Sequence, residues 1–192
     1  NTITLECGTA ANSSVTNTTT AFYSLVLSST NNFAATASAF TINAYAPSDG
    51  NPGFYHQSGA VTNFGGPNSH AAITINSDNI ALYTIATLPV MNLDTDGDVV
   101  FQPMGTSFRS SQYNGTTGAM QLRVVPTTRV KNFTIGKPGN TRALTINNAL
   151  NLDATNGVLK IYSGDLTSSV KISVPTLAVD STGFVTLSNA AN

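Results

Sequence analysis

Charge is what this sequence has least of. Only 9% of its 192 residues are Asp, Glu, Lys or Arg, against roughly 25% in an average soluble domain. There is one glutamate, Glu6, and no tryptophan. Helix surfaces draw on Glu, Lys, Arg and Gln, so the material for a helical protein is missing. The cations are also confined. Residues 1–108 hold no Lys or Arg, and all eight lie between Arg109 and Lys171. A stretch without cations cannot neutralise phosphates, which argues against nucleic acid as a partner. A single cysteine, Cys7, excludes an internal disulfide and reads as a small buried hydrophobe. No run is apolar for long enough to span a bilayer and no signal peptide is visible, so membrane insertion is not expected. The chain opens on Asn1 rather than Met, as an excised or processed piece would.

What is abundant points one way. Thr, Val, Ile, Phe and Tyr suit strands, while Asn, Gly, Asp and Pro suit turns. The expected fold class is therefore all-β. One short sentence recurs three times: apolar, any, apolar, Asp, small polar residues, Gly, any, apolar, any, apolar. Its copies are MNLDTDGDVVF (Met91 to Phe101), LNLDATNGVLKI (Leu150 to Ile161) and LAVDSTGFVTL (Leu177 to Leu187). Thr-Ile-Asn echoes at 41–43, 74–76 and 145–147, each time inside an alternating segment. The local reading of the long unit is a β-hairpin, its Asp capping the turn and its Gly supplying positive φ. One hairpin is marginal in water. Units following one another with little else to pack on need partners, and three identical chains around an axis would bury their apolar stripes and cover their edges.

LNLDATNGVLKI and LAVDSTGFVTL resemble the shaft repeats of trimeric viral fibres: the triple β-spiral of adenovirus-type shafts and the β-rich stalks of bacteriophage tail fibres and tailspikes. The Asn/Thr/Ser/Gly bias is similar too. The resemblance covers residues 143–192 and, locally, 91–101. It implies an elongated, intertwined homotrimer with a β-rich head or intermediate module over 1–105 and a stalk of repeated hairpins over 106–192. It further implies a virion appendage or extracellular location, and a structural and adhesive function supporting attachment to a host-surface receptor, a glycan or a protein. The rivals are a tailspike-like depolymerase (a lyase or glycosidase), a trimeric bacterial adhesin and a single-chain jelly-roll capsid domain.

Two constellations could carry chemistry. Residues 46–70 are rich in Gly, Pro and Asn and hold both histidines. There Phe54, Tyr55, His56, Phe64 and His70 form a candidate ligand site, since aromatic rings stack on sugars and Tyr or His can move protons. The alternative is that Phe54 and Phe64 merely anchor the loop. Asp94, Asp96 and Asp98 alternate around a Gly turn and could offer oxygens to Ca²⁺, the one cofactor considered, although the distal bidentate Glu of a calcium loop is absent. The other two units make their turn with Asp153 or Asp180 alone. No nucleophile elbow, zinc helix or P-loop is present, and no carboxylate pair stands out for glycoside hydrolysis. An enzyme is thus the weaker reading. Arg123, Arg129, Lys131, Lys137 and Arg142 read as solvated strand positions, with an acidic polysaccharide as the alternative ligand.

Overall fold

The computed structural model describes residues 2–7, 25–27, 30–33, 38–45, 53–56, 60–78, 80–82, 90–109, 120–122, 124–126, 129–146 and 149–190. Their regular structure is all strand. No helix among them is long and apolar enough to cross a membrane.

The chain winds in coils, laying one strand on each of three walls per turn. The first wall is a seven-stranded sheet of β1 (Thr2–Cys7), β4 (Ala39–Ala44), β7 (Ala72–Asn76), β10 (Asp98–Gln102), β13 (Asn132–Ile135), β16 (Val158–Ser163) and β19 (Thr176–Ser181), in that order. The second carries β2 (Leu25–Leu27), β5 (Phe54–His56) and β8 (Ile80–Leu82), then β11 (Met120–Leu122), β14 (Leu144–Ile146), β17 (Leu166–Ser168) and β20 (Val185–Leu187), with β8 beside β11. The third carries β3 (Thr30–Phe33), β6 (Val61–Gly65), β9 (Val90–Asp94) and β12 (Val124–Pro126), then β15 (Leu150–Asn151) and β18 (Ile172–Ser173), with β12 beside β15. Every strand pairing among the described residues is parallel.

Strand alternation sorts the side chains. Successive residues point to opposite faces, so apolar-x-apolar puts two side chains inside the coil. Parallel register then stacks equivalent positions into columns. One column on the first wall runs Ile3, Phe40, Ile73, Val99, Phe133, Leu159, Leu177; its neighbour runs Leu5, Ile42, Ile75, Phe101, Ile135, Ile161, Val179. From Phe40 and Ile42 down to Leu159 and Ile161, every member is at most 2% exposed. Phe101 meets Phe133 edge-on at 5.2 Å. Each such side chain contributes roughly 1.5–3 kcal/mol by leaving water. The last coil has a neighbour on one side only, so Leu177 and Val179 are half-buried, Val185 is 47% exposed and Phe184 82% exposed.

The expected hairpins are replaced by corners. In the first two copies of the repeated unit, the turn carries the chain from the third wall to the first: β9 to β10, and β15 to β16. In the third copy it carries the chain from the first wall to the second, β19 to β20. The two strands of a unit therefore never pair with each other; each pairs with the coils before and after it. A strand–turn–strand pattern is the same locally in both cases, and the partner's distance along the chain decides between them. Successive members of the Ile3 column are 37, 33, 26, 34, 26 and 18 residues apart, which is why the units are irregularly spaced.

The turn chemistry also differs from expectation. Asp153 does cap its corner, its Oδ1 accepting from the backbone N–H of Thr155 (3.0 Å) and Asn156 (2.7 Å). In the first copy Thr95 takes that role, with Gly97 N–H donating to its hydroxyl at 3.0 Å. In the third it is Ser181, with Gly183 N–H at 3.2 Å. Gly97, Gly157 and Gly183 are not among the positive-φ glycines, which among the described residues are Gly65, Gly136 and Gly139. They serve close approach instead. A Cβ on Gly97 would sit 2.8 Å from the His70 carbonyl oxygen, and one on Gly157 2.8 Å from Leu152 Cβ.

Residue 105 falls between β10 and β11, within one coil. The first wall runs past it without a break, β10 pairing with β13 over four residues. One continuous cluster of buried apolar side chains extends from Leu27 to Ile172.

Candidate functional site

The residues of the 46–70 segment separate. Phe54 in β5 and Phe64 in β6 are 0% and 1% exposed. Phe64 stacks on Phe33 with centroids 4.6 Å apart and interplanar angle 4°, and Phe40 meets it edge-on at 6.0 Å. These rings face the interior and offer no surface to a sugar, so they anchor the coil. Tyr55 and His56 belong to β5 by backbone, aligned with Val26 and Leu27 on one side and Ala81 and Leu82 on the other; their side chains lie outside the described residues. His70 stands at the corner between β6 and β7 with its side chain 79% exposed.

That corner is where charge concentrates. Three consecutive corners between the third and first walls are tied together. Asp96, from the corner after β9, meets His70 of the corner above, Oδ1 to Nδ1 at 2.5 Å, and Lys131 of the corner below, Oδ2 to Nζ at 3.9 Å. Arg129 reaches back across two corners. Its Nη1 donates to the Gly66 carbonyl (2.8 Å) and the Asp94 carboxylate (2.8 Å), and its Nη2 to the Ser69 carbonyl (2.9 Å). Asp98 accepts from Asn132 Nδ2 at 2.7 Å. The hydrogen bond from His70 holds the Asp96 carboxyl below its ordinary range, aided by the charges of His70, Lys131 and Arg129.

Asp94, Asp96 and Asp98 therefore turn to three different protein donors. Among the described residues, no group of three or more His, Cys, Asp or Glu side chains is arranged to hold a metal ion. His70–Asp96 has the form of a carboxylate-oriented imidazole, but a catalytic triad also needs a hydroxyl or thiol in reach. The neighbouring Ser69 hydroxyl is buried and accepts from Ala71 N–H.

The other cations expected on open strand faces also serve as struts. Lys137 Nζ donates to the Met104 carbonyl at 3.1 Å, and Arg142 Nε to the Phe108 carbonyl at 3.3 Å. Arg123 lies outside the described residues. Cys7 is half-buried against the core; burial, and then the nearby Glu6 charge, push its thiol pKa up.

The outer faces of the walls carry a different arrangement. On the first wall, Asn43 Nδ2 donates to the Glu6 carboxylate, Asn76 Nδ2 to Asn43 Oδ1 (2.7 Å), and Gln102 Nε2 to Asn76 Oδ1 (2.8 Å). On the third wall, Asn63 Nδ2 donates to Asn32 Oδ1 (2.6 Å) and Asn92 Nδ2 to Asn63 Oδ1 (2.7 Å). These amide ladders follow from register: Asn43 aligns with Asn76, and Asn32 with Asn63 and Asn92. The Thr-Ile-Asn echoes at 41–43 and 74–76 lie one above the other, with Ile42 and Ile75 inside and Thr and Asn outside. The third echo begins on the second wall, in β14.

Compared with known proteins, the chain matches no protein-family model, no curated protein and no solved structure.

Proposed function

We propose that this chain is a structural and adhesive segment of a virus or phage fibre, exposed on the virion or in another extracellular setting, that supports attachment to a host-surface receptor. The observation that carries the reading is the sparsely charged, hydrogen-bonded outer face over a continuous apolar core. Parallel coils make a stiff support, because each coil is fixed by backbone bonds and columns of buried side chains from its neighbours. Polar groups held in rows by one another suit a neutral hydroxyl-rich receptor, a glycan, better than a charged one. The sparse charge of the walls also lets copies lie side by side, and the working assembly in this proposal is a homotrimer.

The test is a pair of measurements on the purified chain. Light scattering is expected to give a mass of three chains, and a monomer at micromolar concentration would reject the trimer. Glycan-array binding is expected to give reproducible hits. An array without any hit would reject the adhesive role.

A further inference from the structure

We propose that the outer face of the first wall across β4, β7 and β10 is a binding track for an uncharged polysaccharide lying along the coil axis, an inference that rests on the glycan-attachment reading above. Residues facing outward there are Ala39, Thr41 and Asn43 from β4, Ala72, Thr74 and Asn76 from β7, and Asp98, Val100 and Gln102 from β10. All but Asp98 are half-buried, and Asp98, exposed at the start of β10 and bonded to Asn132, is the one charge on the face, away from the Thr and Asn/Gln ranks. They form ranks by register, Thr41 over Thr74 and Asn43 over Asn76 over Gln102.

The ladder leaves binding capacity unused. Each rung uses one amide N–H of one side chain and one oxygen lone pair of the next. A primary amide has two N–H donors and two lone pairs. Asn43 and Asn76 thus each keep one donor and one acceptor beyond the ladder, beside the Thr41 and Thr74 hydroxyls. These groups recur at the spacing of paired strands, about 4.8 Å along the axis, with the two ranks about 6.6 Å apart across it. Asn76 is held from both sides, so a ligand need not freeze its rotamer, which removes a cost that flexible side chains would impose.

The chemistry of the face selects among occupants. A protein partner would want aromatic or Arg anchors at its centre, and this face has Ala, Thr, Asn, Gln, one Val and, at its edge, Asp98. Nucleic acid or an anionic membrane would want cations, and there are none. A linear, neutral polymer with hydroxyls at regular intervals answers a row of alternating neutral donors and acceptors.

Affinity electrophoresis of the intact chain through gels containing dextran, pullulan, mannan or galactan, with alginate as the acidic comparison, tests this. At least one neutral polymer is expected to retard the protein, equally at low and high salt because no ion pair is involved. The double variant Thr41→Val/Thr74→Val removes two hydroxyls but keeps β-branched side chains, and is expected to weaken retardation at least tenfold while melting within a few degrees of the parent. Asn76→Ala is expected to do the same, with circular dichroism confirming the fold. Retardation by none of the neutral polymers, or by alginate alone with loss at high salt, would overturn the track. Neutral-polymer binding that survives both variants unchanged would also overturn it, while leaving glycan attachment standing. Failure on both these gels and the glycan array would remove the attachment reading with it.

Discussion

Asn140 is the residue whose removal the structure makes most calculable. It lies between β13 and β14, is 2% exposed, and joins three successive coils. Its Oδ1 accepts from the backbone N–H of Phe108 (3.2 Å) and of Arg142 (3.2 Å), and its Nδ2 donates to the Tyr162 carbonyl (2.7 Å). Phe108 is itself buried, so water cannot readily replace the lost partner. At a net ~1 kcal/mol per hydrogen bond, Asn140→Ala costs about 3 kcal/mol, and a melting-point drop of roughly 6–12 °C for a chain of this size. Asn140→Asp keeps the acceptor for both N–H groups but sets a carboxylate against the Tyr162 carbonyl. Its ionised form therefore loses the third bond and adds repulsion, whereas protonation restores a donor. Urea unfolding at pH 7 and pH 4 separates these cases: the Ala variant is expected to be equally defective at both, and the Asp variant to recover relative to the parent at the lower pH. A loss under about 1 kcal/mol for Ala, or no pH dependence of the Asp–parent difference, would refute the assignment of three working bonds to this side chain.

Gly97→Ala places a Cβ 2.7 Å from the Ala71 carbonyl carbon and 2.8 Å from the His70 carbonyl oxygen, both backbone atoms; we expect a cost of about 1–3 kcal/mol. Gly105→Ala meets only Asp78 Oδ1 at 3.5 Å and should melt within about 0.5 kcal/mol of the parent; equal melting of the two variants would contradict the close-approach account. The N–H donors of Asn156 and then Thr155 lower the Asp153 carboxyl pKa. A lowered folded-state value contributes stability that is fully present above the unfolded value, about 3.9, and lost as pH falls through the folded one. Melting temperature should thus fall on acidification below about pH 4, and Asp153→Asn should flatten that fall. Parallel curves would exclude the cap as its source.

Much of the fold was legible in the sequence because it is written locally. Scarce Glu, Lys and Arg argued against helices, and the apolar-x-apolar ending of the repeated unit marked Val99, Phe101, Leu159 and Ile161 as same-face strand positions before any partner was known. What stayed hidden was the partner. A parallel coil joins Phe40 to Ile73 and Leu159 to Leu177 through connections of different length, and nothing within either strand records that length. The same locality explains the turn. Asp153, Thr95 and Ser181 present equivalent oxygens to a corner's N–H groups, so a conspicuous Asp does not mark which residue caps. For the candidate site, the Thr-Ile-Asn echo was the available signal, since identical triplets stack into identical ranks. Of the two readings open for the loop aromatics, burial fits the anchoring one: Phe54 and Phe64 sit among Gly, Pro and Asn in sequence, yet each falls on an inward strand position.

The scarcity of charge is a consequence of this architecture. On a parallel wall, outward side chains at one register position lie about 4.8 Å apart from coil to coil, and like charges so placed repel. Amides and hydroxyls can repeat in that position because each both donates and accepts. The wall charges that do occur obey the restriction. Glu6 faces Asn43, Asp98 faces Asn132, Asp180 is aligned with Tyr162, and Lys160, aligned with Thr134 and Ala178, lies 4.9 Å from the Tyr162 ring centroid. No two like charges are register partners among the described strands. At the corners the chain leaves the ladder, and opposite charges can face each other from coil to coil, as Asp96 and Lys131 do. A composition of Thr and Asn on the walls and Asp, Arg and Lys at the corners is therefore what stacking identical backbone positions selects. It also leaves the walls with few charges between long rows of hydroxyls and amides.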